Sequence, residues 1–519
     1  MRRKDNLFYS MCTQHEMKHL RALVSVYDKE AARRLIGLLH DLGVEMIASG
    51  GTLSFIRSLG AEATGVDELT AYPSILGGRV KTMHPSIMGG ILCRPSLPAD
   101  QRDMERFGFS AIDMVVVDLY PFEESLASGA GHDEVMEQVD IGGITLMRAA
   151  AKNHDRVLIV PGVAHFEHAL QLLERSGGLS TLEERKHMAA LAMECSSHYD
   201  TAIYHYLSDG SLPFFKESIR DAVPLRYGEN PHQDGRFYGR FGDAFEQLSG
   251  KPLSYNNLLD IDAALGLMAD FSLPAFAIIK HGNVCGAATR DRLTDAWRDA
   301  LAGDPVSAFG GVLITNREIG EDVAGAIHSL FFEVLLAPSY TPGALDLLQQ
   351  KKNRVLLKSR NSQKRGHSFR SLRFGLLWQT DDEASVPPGQ WTIPTTAKPS
   401  RGQQSDMTFA NIVVKHLKSN AIAIVRDRML LGMGAGQTSR VDALRQALDK
   451  ARENKQDLQG AVMASDAFFP FPDCVEMAHR AGITAVIQPG GSKNDQASID
   501  WCEANGMAMA LTGRRHFKH

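Results

Sequence analysis

Between residues 20 and 165, short apolar runs alternate with amphipathic helical patterns, and few folds accept that order. Residues 22–26 are strand-like. Ala31, Leu35, Leu38, Leu39 and Leu42 then recur at helical spacing, and Gly43 ends that helix. Residues 44–48 form the next strand, and Thr52 opens the next helix. Residues 114–117 and 157–160 are further strands, with a helix over 144–152 between them. Such alternation predicts an α/β fold whose parallel sheet is covered on both faces. Ligands of these sheets sit beyond the carboxyl ends of the strands.

Residues 166–210 are mostly helical, over 168–174 and 182–195. Leu212-Pro213 opens a second mixed α/β region that reaches residue 519. At 519 residues the chain exceeds one ordinary core. The expected domains are therefore an N-terminal extension (1–18), a first domain (19–210) and a second (211–519). Ser, Arg, Pro and Gly accumulate between 358 and about 405, where long surface loops are expected. There is no short-period repeat.

A formal net charge of -5 argues against sequence-independent nucleic-acid binding, which needs a basic face. No apolar run approaches the roughly 18 residues a membrane helix needs. Met1-Arg2-Arg3-Lys4 is followed by no apolar stretch of the signal-peptide kind. Six cysteines are scattered without a C-x-x-C pair, as in a reduced cytoplasmic protein.

Ser49-Gly50-Gly51-Thr52 lies between a strand and a helix, where exposed backbone N–H groups and a helix N-terminus suit a phosphate. Gly77-Gly78-Arg79-Val80-Lys81-Thr82 is a second glycine-rich loop, with a guanidinium, an ammonium and a hydroxyl close together. Two such loops after nearby strands favour an anionic ligand. Tyr120 and Pro121 follow the strand 114–117. Asp140-Ile141-Gly142-Gly143 precedes a helix on which Thr145, Arg148 and Lys152 share one face. A solvated polar stripe would look the same. The small flanking Ala149, Ala150 and Ala151, however, would let the helix press close and carry Lys152 into a pocket.

These segments resemble the IMP cyclohydrolase domain of the bifunctional purine biosynthesis family, over about residues 20–210. The resemblance implies a methylglyoxal-synthase-like fold. It implies a nucleotide site lined by Tyr27, Asp28, Lys29, Ser49, Gly50, Gly51, Thr52, Arg79, Val80, Lys81, Thr82, Asp140 and Ile141. It puts Lys152 and Tyr120 at the ring-closing chemistry. The family usually has Asn at the position of Asp118; here the carboxylate turns a donor into an acceptor.

In the second region, Lys280-His281-Gly282-Asn283 follows the apolar run 275–279. Imidazole exchanges protons near neutral pH, and an ammonium stabilises developing negative charge. Further polar clusters are Arg226-Tyr227, Asn256-Asn257, Ser307 to Gly311, Glu333 and Lys418-Ser419-Asn420. Ser439-Arg440 begins a helix after a glycine run that lacks dinucleotide-fingerprint spacing. Residues 465–473 set three phenylalanines among two carboxylates.

Together these segments resemble the formyltransferase half of the same family, over about residues 211–519, with cytidine-deaminase-like α/β subdomains. The similarity maps Arg226, Tyr227, Asn257, Gly310, Glu333, Arg440 and Arg515 to the nucleotide, with Asn420 beside the reacting groups. It maps Phe468, Asp473, Gly491 and Ser492 to 10-formyltetrahydrofolate, the co-substrate, with His281 and Lys280 catalytic. The deaminase zinc signature is missing from this half, so a reaction without metal is expected. Val284 stands where the family usually has Pro. A homodimer in the cytoplasm is implied, with no nucleic-acid or membrane partner. One alternative keeps a single activity and makes the other domain a nucleotide sensor; a zinc-dependent deaminase-like hydrolase is another.

Overall fold

The computed structural model describes residues 20–360, 366–383 and 385–519; the expected extension 1–18 lies outside them. The chain divides into two units, one ending at Arg220 and the other Asp221–His519. The segment after 210 stays with the first unit because its side chains tie back to the last helix. Ser218 Oγ lies 2.8 Å from His198 Nδ1, and Arg220 pairs with Glu194 at 3.0 Å.

The first unit carries β1 (Arg21–Ser25), α1 (Lys29–Asp41), β2 (Glu45–Ala48), α2 (Gly50–Ser58), β3 (Ala63–Gly65) and α3 (Val66–Thr70). There follow α4 (Pro85–Leu92), α5 (Pro98–Phe107), β4 (Met114–Val117), α6 (Phe122–Ala127), α7 (His132–Glu137) and α8 (Gly142–Lys152). β5 (Leu158–Pro161), α9 (Phe166–Ser176) and α10 (Leu182–Ser208) complete it. The strands pair in parallel in the order β3-β2-β1-β4-β5. β4 and β5 are buried at every position, as expected of a sheet covered on both faces. α1 packs on α9, and α8 packs on α10. β1 leads to β2 on one side and β4 leads to β5 on the other. The neighbours β1 and β4 therefore form a topological switch point. The helix expected to open at Thr52 begins two residues earlier, at Gly50. The Thr52 hydroxyl is used differently: it donates to Val26 O at 3.1 Å and accepts from Val26 N at 3.3 Å.

In the second unit β6 (Ala222–Leu225) and β7 (Gly235–Tyr238) form a separate hairpin. The main sheet has eleven strands in the order β20-β19-β18-β16-β17-β10-β9-β11-β12-β13-β8. Its first part holds β8 (Phe245–Ser249), α11 (Tyr255–Met268), β9 (Ala275–Lys280), β10 (Asn283–Thr289) and α12 (Leu293–Gly303). β11 (Val312–Thr315), α13 (Glu321–Ile327), β12 (Val334–Ala337), α14 (Pro342–Gln349) and β13 (Val355–Ser359) continue it. A hairpin of β14 (His367–Leu372) and β15 (Gly375–Thr380) then stands where only long loops were expected. Its apolar residues Phe369, Leu376, Leu377 and Trp378 are exposed, so no core pattern announced it.

The remaining elements repeat the first part: α15 (Arg401–Lys415), β16 (Ile422–Arg426), β17 (Met429–Gly434), α16 (Arg440–Glu453), β18 (Val462–Ser465), α17 (Asp473–Arg480), β19 (Ala485–Gln488), α18 (Asp495–Ala504) and β20 (Ala508–Leu511). Both copies run helix, hairpin, then three parallel strands joined by helices, and β10 meets β17 antiparallel at the seam. The details match as well. Ser254 and Ser400 each cap a helix through a capping box. Gly286 lies so close to the Ala300 carbonyl that a Cβ would clash, and Gly432 lies the same way against Ala447. The chain thus carries an internal repeat with an offset of 146 residues (254 to 400, 286 to 432), which composition and short-range periodicity did not reveal.

Candidate active site

In the first unit the candidate residues gather at the switch point. The rings of Tyr27 and Tyr120 meet edge to face at 5.7 Å. Asp28 N donates to Asp118 Oδ2 at 2.9 Å, joining the ends of β1 and β4. The Asp28 side chain caps α1 by accepting from Ala31 N at 3.0 Å. Asp118 is therefore an acceptor for backbone amides. Burial pushes its pKa up, against the amides of Asp28, Val163 and Tyr27.

Two ammonium groups converge on the N-terminus of α2, which follows the extended Ser49. A Cβ on Gly51 would lie 3.0 Å from Lys29 Cε, and one on Gly50 would lie 3.7 Å from Lys81 Nζ. Gly78, at φ +96°, lets the backbone pass Lys81, because a Cβ there would sit 2.6 Å from Lys81 Cε. Val80 pairs back with Ile75 and closes that loop. The loop meets α8 at Thr82, whose Oγ1 is 3.1 Å from where a Gly142 Cβ would stand. Glycines, two cations and a helix start form a cradle suited to phosphate. Arg79 is exposed and ion-paired with Glu137.

Asp140 accepts from Gly143 N at 2.6 Å and so holds the start of α8, beside the exposed Ile141. Its own N–H donates to Tyr199 Oη at 2.9 Å, and the Tyr199 hydroxyl donates to Gln138 O at 2.5 Å. Burial raises the pKa of Asp140 and of Tyr120, and lifts that of Tyr199 to about 12. Sequence reasoning missed Tyr199, because only the folding of α10 brings it here. It also missed His198 and Arg220, which with Pro121 and Gly162 line a hollow of about 870 Å³ beside Asp118.

Lys152 lies elsewhere. It is exposed at the last residue of α8, roughly 15 Å along the helix axis from Gly142 at 1.5 Å per residue. Thr145, Arg148 and Lys152 do share a face, but it opens on a hollow of about 680 Å³ together with Met88, Lys186 and Met193. Tyr120 is not among the residues lining that hollow, and Gly142, beside the cradle, and Lys152 occupy opposite ends of α8.

In the second unit the strand registers bring the candidate residues to one edge of the large sheet. Lys280 ends β9 opposite Asn283, and Ile279 pairs with Val312. Val312 pairs in turn with Val334, which sets Gly310 and Glu333 beside the end of β9. Across the seam, Ile422 lies between Gly434 and Ser465 at the same edge. Lys280 Nζ donates to Phe309 O at 2.7 Å. His281 is exposed in a turn at φ +53°. Asn257 donates to Glu333 Oε2 at 3.2 Å, and Lys251 pairs with Glu333 at 3.1 Å. Glu333 is therefore a paired carboxylate and not a freely solvated one. Lys418 N donates to Asn283 Oδ1 at 3.4 Å and joins the two halves of the edge.

Arg440 is turned inward. Its side chain is 9% exposed and reaches Asn420 Oδ1 at 2.8 Å, Asp466 at 2.9 Å and Phe468 O at 3.1 Å. Of the aromatic group, Phe469 is core, Phe468 is half-buried and Phe471 is exposed. Asp495 takes the amides of Gly491 and Ser492 at 2.6 and 3.1 Å, and Asn494 donates to Pro470 O at 3.2 Å. That turn thus stands beside the aromatic segment. The tail joins the same edge: Ser419 N donates to Lys518 O at 2.8 Å, and Arg515 lies over Phe517 at 4.3 Å. Arg226 lies over Tyr227 at 5.5 Å in a loop tied to α11 by Asn256, which donates to Glu229 O at 3.2 Å.

Fold and site geometry define a two-unit α/β protein with one cluster of candidate site residues at a sheet edge in each unit. Residues 150–450 match the family described as AICARFT/IMPCHase bienzyme, and residues 32–145 match the MGS-like domain. The chain is 52% identical over 498 residues to the bifunctional purine biosynthesis protein PurH of Bacteroides thetaiotaomicron, covering 96% of this chain and 98% of the relative. It is 43% identical over 517 residues to that of Chlorobium luteolum, covering 96% and 99%. For Chloroflexus aurantiacus the figures are 44% over 511 residues, 97% and 99%. The chain belongs to the AICARFT/IMPCHase bienzyme family. It is a bifunctional enzyme of the last two steps of IMP synthesis, with phosphoribosylaminoimidazolecarboxamide formyltransferase and IMP cyclohydrolase activities. Among the described residues no helix is long and apolar enough to cross a membrane.

Proposed function

We propose that ring closure occurs at the cradle of the first unit and formyl transfer at the shared strand edge of the second. The observation that carries the second assignment is the convergence of Lys280, His281, Gly310, Glu333 and Asn420 on one edge through strand register.

The formyl acceptor is an aromatic amine, a poor nucleophile because its lone pair is delocalised. Its attack on the formyl carbon of 10-formyltetrahydrofolate gives a tetrahedral oxyanion, which collapses with departure of the folate nitrogen. His281 takes the proton of the amine, a role worth about 10²–10⁴ in rate. Lys280 stabilises the oxyanion or assists the leaving nitrogen. Asn420 offers the second N–H of its amide, because its oxygen is taken by Arg440 and its first N–H by Gln437 O. Arg226, Tyr227, Asn257, Gly310, Glu333 and Arg515 bind the nucleotide, and Arg440 serves it through Asn420. Phe468, Asp473, Gly491 and Ser492 receive the folate. Holding both substrates in register removes much of the entropic barrier.

In the cradle, Lys29, Lys81, Thr82 and the amides of Gly50 and Gly51 bind the phosphate of the formylated nucleotide. The carboxamide nitrogen attacks the formamide carbon and water leaves. Tyr120 handles a proton at this step. Lys152 is assigned to it on the resemblance alone. A cytoplasmic homodimer belongs to the same reading.

The test is a coupled assay with aminoimidazole carboxamide ribonucleotide and 10-formyltetrahydrofolate, following IMP. His281→Ala is expected to abolish formyl transfer while closure of supplied formylated nucleotide persists. Equal loss of both activities in a folded variant would contradict the division of labour.

A further inference from the structure

The Lys280-His281 pair rides on a two-residue turn, and the internal repeat supplies a second turn of the same build. His281 and Gly282, at φ +53° and +71°, join β9 to β10. Asp427 and Arg428, at φ +50° and +54°, join β16 to β17. Each turn is held by a carboxylate six residues beyond the serine that caps the preceding helix. Asp260 of α11 accepts from Gly282 N at 2.6 Å. Asp406 of α15 accepts from Asp427 N at 2.9 Å and from Arg428 N at 2.6 Å. The antiparallel seam puts the two turns at opposite edges of the sheet, so only the first belongs to the edge that carries Glu333 and Asn420.

A histidine in the left-handed region keeps that backbone only when its surroundings hold it there. Around His281 the holders are few: Asp260 on the Gly282 amide, and Asn283, which donates to His281 O at 3.2 Å. Lys280 is fixed separately, by the Phe309 carbonyl. We propose that Asp260 is a positioning residue for formyl transfer: by gripping the Gly282 amide it sets the direction in which the His281 side chain leaves the turn beside Lys280. This rests on the assignment of that pair to formyl transfer made above. Asp406 performs the same grip where no chemistry occurs, which makes it an internal control.

The experiment measures formyl-transfer kcat and nucleotide KM on the full chain for Asp260→Ala, Asp260→Asn, Asp406→Ala and His281→Ala. A displacement of about 1 Å in reacting groups costs on the order of 10²-fold, so Asp260→Ala is expected to lower kcat about 10- to 100-fold. KM should change by no more than about threefold, the signature of lost orientation rather than lost binding. Asp260→Asn keeps an oxygen for the Gly282 amide and should recover most of the rate. Asp406→Ala should lower the melting temperature yet leave kcat within about twofold. Unchanged kcat in Asp260→Ala, or an equal fall in Asp406→Ala, overturns the proposal. Where Asp260→Ala does not fold, Asp260→Glu, which shifts the acceptor by one methylene, must lose rate while Asp260→Asn keeps it; the reverse order overturns the proposal. Formyl transfer retained by His281→Ala overturns the assignment of the pair, and this proposal with it. Loss in His281→Ala beside a fully active Asp260→Ala overturns this proposal alone.

Discussion

Arg440 donates to the side-chain oxygen of Asn420 at 2.8 Å while Asn420 Nδ2 donates to Gln437 O at 2.9 Å, so the orientation of that amide is fixed. Arg440 is held in turn by Asp466, which is fully buried. Replacing Arg440 by Met removes the charge that compensates Asp466 and frees Asn420 to turn. Breaking a buried pair on one side costs about 3–5 kcal/mol. Denaturant unfolding of Arg440→Met should show a loss of that order, with formyl transfer depressed and ring closure retained. A variant as stable and active as the parent would contradict the role of the pair.

Asp118 supplies a pH-dependent test. Its pKa is raised by burial, so the folded chain holds the proton more tightly than the unfolded chain does. The stability from this group is present below the ordinary carboxylate pKa and lost as pH rises through the folded value. Asp118→Asn keeps an acceptor oxygen without the buried charge. Its urea midpoint should exceed that of the parent at pH 7, and the gap should close toward about pH 4. A gap of the same size at both pH values would refute the burial cause.

Gly143 has no room for a side chain. A Cβ there would stand 2.7 Å from Asp140 Oδ2 and 2.9 Å from Leu119 Cδ2. Gly143→Ala should displace the carboxylate that holds the start of α8, at a cost of about 1–3 kcal/mol. Ring closure should slow and formyl transfer persist, as read by the two half-assays. Normal cyclisation kinetics would show that the Asp140 cap is dispensable.

Lys152 is exposed, so Lys152→Ala should change stability by no more than about 0.5 kcal/mol. The role assigned to it predicts that ring closure slows at least about tenfold in this variant, within the range of proton-transfer catalysis. Unaltered cyclisation would leave the cradle residues, with Tyr120, to carry the step.

Much of the first unit was legible in the chain. The runs 22–26, 44–48, 114–117 and 157–160 became strands because each is apolar enough to be buried in a parallel sheet. The glycine-rich segments at 49–52 and 77–82 met because Lys81, in the loop after α3, reaches the start of α2 at Gly50. The inward turn of Arg440 was not legible, since its partners Asn420 and Asp466 lie 20 and 26 residues away and meet it only through the β16–β18 pairing. Nor was the place of Lys152 at the end of α8 opposite the cradle, because a shared helix face says nothing about which end of the helix meets the site. The β14–β15 hairpin escaped notice because its apolar residues face solvent.

By itself the sequence determined the α/β class, the two sheet-forming regions and the identity of the chemistry-bearing segments. These are local properties: apolar spacing, glycine placement and short clusters of ionisable groups. Tertiary structure decided which segments share an edge, which charges are spent on one another and how the repeated halves face each other. Those outcomes depend on strand register across a seam, where Ala288 meets Met429, and no local pattern encodes a pairing between residues so far apart in the chain.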